Sequence, residues 1–297
     1  MDPVVTTADR DALVVASMRR WVADDFATAT EAAGLRLVHT FGIELPDALG
    51  ELVRPAWWAP TEYAARAQVA GVSLPLVSPG PAWHEHLSPG LLGRGVHGFT
   101  LDELAGDAGL RNRAGFVKLA EVKHPTLEAR WYHRVGDFVD GARAAGLPGA
   151  SRLQLCFEWR DFIQEHRLFV RDAQVVASSP YLLEGDLWDP GMAADPRADA
   201  ASAEAFGAEA VAAFGDQPPA WVLDVGRTKA GWAVVEANPC WSAGLYDAAP
   251  DAVLSVLCAA IDHEGAFPAW HWVPDPFLAE RAAAMVRLPG PTGARGA

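Results

Sequence analysis

Two residue types are nearly missing from this 297-residue chain. There are three lysines, Lys118, Lys123 and Lys229, against 21 arginines, and two asparagines, Asn112 and Asn238. Beside abundant Ala, Gly, Pro and Arg, this imbalance marks a biased coding genome, in which Lys drifts to Arg wherever either cation serves. Positions that resist the drift are where a compact ammonium, rather than a planar guanidinium fork, has a specific use. Cysteine is scarce as well. Cys156, Cys240 and Cys258 are odd in number and lack CxxC spacing, which leaves no structural zinc site and fits a reduced cytoplasm. No run of about 18 apolar residues occurs, so no transmembrane helix is expected, and the first residues lack the basic-then-apolar pattern of a secretory leader. Positive charge is in deficit: 24 basic residues face 38 acidic ones, for a net charge of -14. Such a chain repels a nucleic-acid backbone and has no polybasic membrane contact.

What is present reads as a globular protein. Hydrophobic residues make up 51 % and charged residues 21 %, and the length suits about two domains of ~150 residues. Residues 8 to 35 read as a helix, with Val14, Val15, Met18, Trp21, Val22 and Phe26 at helical spacing and Thr7 or Asp9 as N-cap. Short strands are expected at 35–41, 115–120 and 153–159. The stretch 71–95 is rich in Pro and Gly and reads as an irregular connection. Thr100 and Glu103 have the spacing of a capping box. Helices are expected at 137–145, 201–214 and 251–262, and hairpins at 166–178, around Arg171 and Asp172, and at 220–238. The tail from Leu288 reads as frayed. The order is α+β with antiparallel hairpins rather than a regular βαβ alternation.

The C-terminal hairpin carries the first chemical signal. Residues two apart on a strand share a face, so Glu236 and Asn238 point the same way, and Asp224 on the partner strand can reach the same patch. Two carboxylates and an amide oxygen suit Mg²⁺; a bare D…E-x-N is also what the polar face of a half-exposed hairpin looks like. The second signal is Lys118 and Lys123 in FVKLAEVK, two ammonium groups that could lie over a polyphosphate or simply flank a loop in solvent. The third is EHRLFV at 165–170, where Glu165 and Arg167 share a strand face; an ordinary cross-strand ion pair, which stabilises little when exposed, is the plainer reading.

Taken in order, FVKLAEVK, EHRLFV with SSPY at 178–181, VLDVG at 222–226 and VVEANP at 234–239 followed by WSAGLY resemble the ATP-grasp superfamily, in the clade named for one arginine and two lysines. The resemblance covers about residues 90 to 260, and LLGRGV…TLDEL at 91–104 is similar to the clade's entry region. It implies a two-lobed ATP-grasp fold with antiparallel sheets: a divergent N-terminal α/β domain over 1–90, a small lobe over about 107–157, a large lobe over about 158–275, and a C-terminal helix and tail over 276–297. It also implies ATP and Mg²⁺ as cofactors, Lys118 and Lys123 on the α- and β-phosphates, Glu158 and Trp159 at the hinge near the nucleotide, Arg167 as the catalytic cation, and Asp224, Glu236 and Asn238 as metal ligands. The implied reaction is ATP-dependent joining of a small-molecule or peptide carboxylate to an amine through an acyl phosphate. The alternatives are a kinase on the same fold, or a degenerate nucleotide-binding scaffold. The segment HPTLEAR at 124–130 departs from the pattern in lacking the glycine of a mobile phosphate-covering loop.

Other features read more plainly. Trp159 either stacks near adenine or fills the core, and bulky aromatics mostly bury area. His84-Glu-His86 reads as a polar loop, Trp270-His-Trp272 as packing or a surface contact, and Lys229 as a solvated turn residue. Trp221, Trp232 and Trp241 read as core, with a pocket wall as the other option. Cys240 beside carboxylates has no cause for thiolate character.

Overall fold

The computed structural model describes residues 7–41, 45 and 47–287. The expected frayed tail from Leu288 lies outside them.

The N-terminal elements correct one expectation. The stretch read as one helix from 8 to 35 is strand β1 (Ala12–Ala16) followed by helix α1 (Arg20–Ala32). Consecutive buried apolar residues, with two β-branched valines, suit a central strand covered on both faces. Met18 and Trp21, counted in the helical pattern, are exposed. Thr7 to Asp9 form a separate 3-10 turn, and Arg19 is the N-cap of α1, with no side-chain cap bond. Strands β2 (Arg36–Thr40) and β3 (Ala56–Trp58) flank β1 in a parallel sheet of order β2-β1-β3, and α2 (Thr61–Val69) follows.

The Pro/Gly-rich stretch is more ordered than expected. Trp83–His86 form a 3-10 turn, and Ser88 caps the short helix α3 (Pro89–Leu92). His84 is buried and His86 stacks on Phe214 with ring centroids 4.4 Å apart, so the predicted polar loop is a packing element. Beyond it, β4 (Val96–Thr100), β5 (Gly115–Leu119), β6 (Arg130–Tyr132) and β7 (Arg152–Cys156) form an antiparallel sheet of order β4-β7-β5-β6. Helices α4 (Leu101–Gly106), α5 (Ala108–Arg111) and α6 (Val135–Ala144) accompany it. The capping box on α4 is present: Thr100 Oγ1 accepts from the Glu103 N–H at 3.1 Å, and the Thr100 N–H donates to the Glu103 carboxylate at 2.7 Å.

A second antiparallel sheet has the order β10-β9-β8-β11-β12, from β8 (Gln164–Arg171), β9 (Gln174–Leu183), β10 (Asp186–Leu187), β11 (Ala220–Thr228) and β12 (Gly231–Asn238). Helix α7 (Ala200–Phe214) covers one face, packing on Leu168, Val170, Trp221, Leu223 and Val225. Gly207 permits this approach, because a Cβ there would lie 2.0 Å from Leu168 Cδ1. Alternate residues of the same strands, including Phe169, Ala220 and Val222, turn to the main core. Coverage of both faces explains why Ala220 to Gly226 are buried without interruption. Helices α8 (Pro250–Ala259) and α9 (Pro276–Arg287) return to the N-terminal elements, α8 packing on α1 and β3 and α9 on α2. Trp221 and Trp241 are fully buried, as their core reading requires, whereas Trp232 is half-buried and its Nε1–H donates to Ser202 Oγ at 2.6 Å; Trp272 packs edge-on against Trp241. No helix among the described residues is long and apolar enough to cross a membrane.

Candidate active site

The functional residues gather where the two antiparallel sheets face one another. Register brings three of them side by side: Arg167 on β8 pairs with Asp224 on β11, and Asp224 pairs with Glu236 on β12. Directly opposed residues point to the same face, so Arg167, Asp224 and Glu236 form one row across three strands. A bulge between Asp224 and Val225 follows the row.

Within the row, the cross-strand ion pair expected of this strand face is present, buried rather than exposed. Arg167 holds Asp224 through two parallel bonds, Nε to Oδ1 at 2.9 Å and Nη2 to Oδ2 at 2.7 Å. Both side chains are buried, at 9 % and 0 % exposure. Burial works against the charge on Arg167, and the Asp224 carboxylate outweighs it and raises the guanidinium pKa. Tyr181 and Tyr246 stack with centroids 5.1 Å apart and flank the guanidinium at 5.2 and 5.3 Å, within cation–π range. Glu165 accepts a hydrogen bond from the Tyr181 hydroxyl. Its burial beside the Asp224 and Glu236 charges, only partly offset by that bond, raises it to about 7.

Lys118 comes from the other sheet. It sits on β5 opposite Gln154 and reaches across the cleft to form an ion pair with Glu236. Asn238 Nδ2 donates to the other Glu236 oxygen at 2.8 Å, which leaves the Asn238 amide oxygen available. Burial pushes Glu236 up, but the Lys118 ammonium, its hydrogen bond, Arg167 and Asn238 together prevail and hold it at about 2. Lys118 and Glu236 keep 19 % and 27 % of their side-chain surface exposed, so water and ligands can reach the pair.

A cavity of about 1090 Å³ joins these groups; Lys118, Lys123, Glu158, Trp159, Arg167, Glu236 and Asn238 all line it. Asp224 does not; it lies behind Arg167 with both oxygens engaged. Lys123 is exposed at the cavity. Trp159 is 55 % exposed and packs edge-on against Trp131 at 6.3 Å, so it is a wall of the cavity rather than core. Glu158 lies 3.6 Å from Arg160 at the same wall. Cys240 is fully buried, and burial pushes its thiol up.

Four residues of the site had no clear mark in the sequence. Arg94 lines the cavity, and its guanidinium donates to the carbonyls of Leu92, Val234 and Val235 at 2.8–3.1 Å, bracing the strand that presents Glu236. Phe162 lies under Arg94 at 5.4 Å because Gly226 has no Cβ, which would fall 2.2 Å from the ring. Tyr246 is 49 % exposed at φ 53°, a backbone region that bulky residues rarely adopt. The loop following it is held by the Asp247 N–H donating to the buried Ser179 Oγ at 2.8 Å. Glu121 lines the cavity between the two lysines, 3.2 Å from Ser78 Oγ, and burial raises it to about 7. Arg94 lies within LLGRGV, Glu121 within FVKLAEVK and Tyr246 at the end of WSAGLY, blocks that located these residues without assigning them a role; Phe162 depends on long-range packing.

Among the described residues, no group of three or more His, Cys, Asp and Glu side chains could hold a metal ion. Around the row, Glu236, Asn238 and Glu165 face the cavity with oxygen donors, and Glu165 is engaged by the Tyr181 hydroxyl. One carboxylate and one amide oxygen fit a hard divalent ion that completes its shell with water and phosphate.

No curated protein matches the chain. Among solved structures, it is similar to D-cycloserine synthetase DcsG, with 16 % identity over 83 % of this chain and 98 % of that one and a TM-score of 0.50. N5-carboxyaminoimidazole synthase from Aspergillus clavatus, solved with ADP, aligns with 12 % identity over 84 % of this chain and 77 % of that one at a TM-score of 0.49. D-alanine–D-alanine ligase from Bacillus anthracis aligns with 9 % identity over 84 % and 97 %, at 0.45. Residues 55–257 match the profile of an ATP-grasp domain, the third family of the clade named for one arginine and two lysines. With two antiparallel sheets enclosing a cleft of lysine, arginine and acidic side chains, and a profile match over more than half its length, the chain belongs to that third family of the arginine-and-two-lysine ATP-grasp clade.

Proposed function

We propose that this protein is an ATP-dependent carboxylate–amine ligase working through an acyl phosphate, with small-molecule or peptide substrates and a cytoplasmic location. The observation that carries the reading is the convergence of Lys118, Lys123, Arg167, Glu236 and Asn238 on one cavity between two sheets. The domain division into 1–90, a small lobe over about 107–157, a large lobe over about 158–275 and a C-terminal helix and tail over 276–297 is part of the same proposal.

Phosphoryl transfer asks a protein for alignment and charge neutralisation more than for covalent help. Lys118 and Lys123 hold the nucleotide phosphates as point charges. Glu158 and Trp159 border the base and ribose. Arg167, locked by Asp224 and flanked by two tyrosines, presents a fixed positive charge where the transferring phosphoryl and the acyl phosphate develop negative charge. Glu236 and Asn238 would hold Mg²⁺, which when bound neutralises phosphate charge. Asp224, also assigned to the metal from the sequence, has both oxygens on Arg167 in the pairing seen here and would first have to release one of them to ligate the ion. A substrate carboxylate oxygen attacks the γ-phosphorus and ADP leaves. The amine nitrogen then attacks the acyl carbon, a proton passes to solvent, and phosphate departs with that carboxylate oxygen.

The test is incubation with ATP, Mg²⁺ and panels of ¹⁸O-labelled carboxylates and amines. The expected outcome is ADP release with ¹⁸O in the inorganic phosphate. A stable phosphorylated product without C–N bond formation would mean a kinase. Metal-dependent nucleotide binding without turnover on any pair would favour a scaffold.

A further inference from the structure

The cations lining the cavity differ in what they are free to do. Arg167 is held bidentately by Asp224 within one sheet. Arg94 is committed to three backbone carbonyls. Arg160 lies between the Gly93 carbonyl and Glu158. Lys118 alone among these crosses from one sheet to the other, and its partner, Glu236, is the carboxylate that faces the cavity beside Asn238.

We propose that the Lys118–Glu236 ion pair is a latch across the cleft, so that nucleotide and divalent metal each bind weakly alone and strongly together. The proposal rests on the nucleotide-and-metal reading above and adds an energetic coupling to it. The physical reason is charge balance. A metal ion arriving alone must take Glu236 from Lys118, which strands an ammonium beside a dication in a half-buried cleft. A nucleotide arriving alone must take Lys118 from Glu236, which strands a carboxylate beside a polyphosphate. When both arrive, Lys118 moves to phosphate and Glu236 to metal, and every charge regains a partner. Neither ligand needs to touch the other for this term to operate, because each removes the cost that the other would meet. The coupling is reciprocal: the factor by which nucleotide tightens metal equals the factor by which metal tightens nucleotide.

The experiment measures binding, not turnover. Titration of the full chain with a non-hydrolysable ATP analogue and with Mn²⁺, each alone and each in the presence of the other, gives the coupling directly. Wild type is expected to couple the two by at least tenfold beyond the affinity of free Mn²⁺ for free analogue. Lys118→Met is expected to bind Mn²⁺ alone at least fivefold more tightly than wild type, because Glu236 no longer has a competing partner, while binding the analogue more weakly. Lys118→Met/Glu236→Gln is expected to lose the gain in Mn²⁺ affinity. Independent binding in wild type overturns the latch without needing any variant. So does a Lys118→Met protein that melts cooperatively yet binds Mn²⁺ no better than wild type. Wild type that binds neither analogue nor Mn²⁺ overturns the nucleotide reading itself, and the latch with it.

Discussion

Two ion pairs meet in one row of side chains, yet they do different work. Arg167 and Asp224 are neighbours in the same sheet, buried and joined by two bonds. Lys118 and Glu236 come from different sheets and remain partly open to solvent. The first pair cannot open without leaving a buried charge, a penalty of about 3–5 kcal/mol when one partner is removed. The second lies at the cavity, where water or a ligand can take over either partner once the pair opens. Position in the fold, rather than residue type, separates the pair that sets geometry from the pair that can yield to ligands.

Substitutions can break that contrast, and the largest effect should come from the buried pair. Asp224→Ala is expected to lower the free energy of unfolding by about 3–5 kcal/mol and to abolish ADP release, read by urea denaturation and by a coupled ADP assay. Unchanged stability would remove the structural role given to this pair. Glu236→Ala should also abolish ADP release, but with a smaller loss of stability, because the Lys118 ammonium it leaves behind keeps access to water. If the two variants lose stability equally, the distinction between the pairs is gone.

The acidic groups around the row sharpen the contrast by titrating in opposite senses. Glu165 is raised to about 7 from an ordinary 4.5, so its contribution to stability is complete below pH 4.5 and is lost as pH rises through 7. Wild type should therefore lose up to about 3 kcal/mol relative to Glu165→Gln between pH 4.5 and pH 8; parallel stability curves for the two proteins would sink this assignment. Glu236, held at about 2, contributes stability above pH 4.5 and loses it as pH falls through 2. Its acid-side loss should disappear in Lys118→Met, as the pH dependence of unfolding would reveal. The smallest effect belongs far from both pairs. Ala173 closes the β8–β9 turn at φ 59°, and Ala173→Gly should stabilise by about 0.5–1 kcal/mol while leaving nucleotide binding unchanged.

Much of this was legible along the chain because the signals are local. Period-two patterning located the hairpins that carry Arg167, Asp224, Glu236 and Asn238, and the Thr100/Glu103 spacing located the start of α4. Scarcity itself was informative: two of the three lysines and one of the two asparagines line the cavity. The misreadings arose where one local pattern admits two structures. Val14 and Val15 satisfy helical spacing, but two-sided burial makes them strand. His84 and His86 are polar in isolation, but long-range packing buries or stacks them.

The sequence by itself determined which residues could do chemistry here, and in what order along the chain, because residue type and strand period are local properties. Tertiary structure alone decided the partners. Arg167 met Asp224 because β8 and β11 pair in that register. Lys118 reached Glu236, 118 residues further along the chain, because two sheets face each other across one cleft. Partner choice depends on register and on the approach of distant elements, and neither is written in the spacing of neighbouring residues.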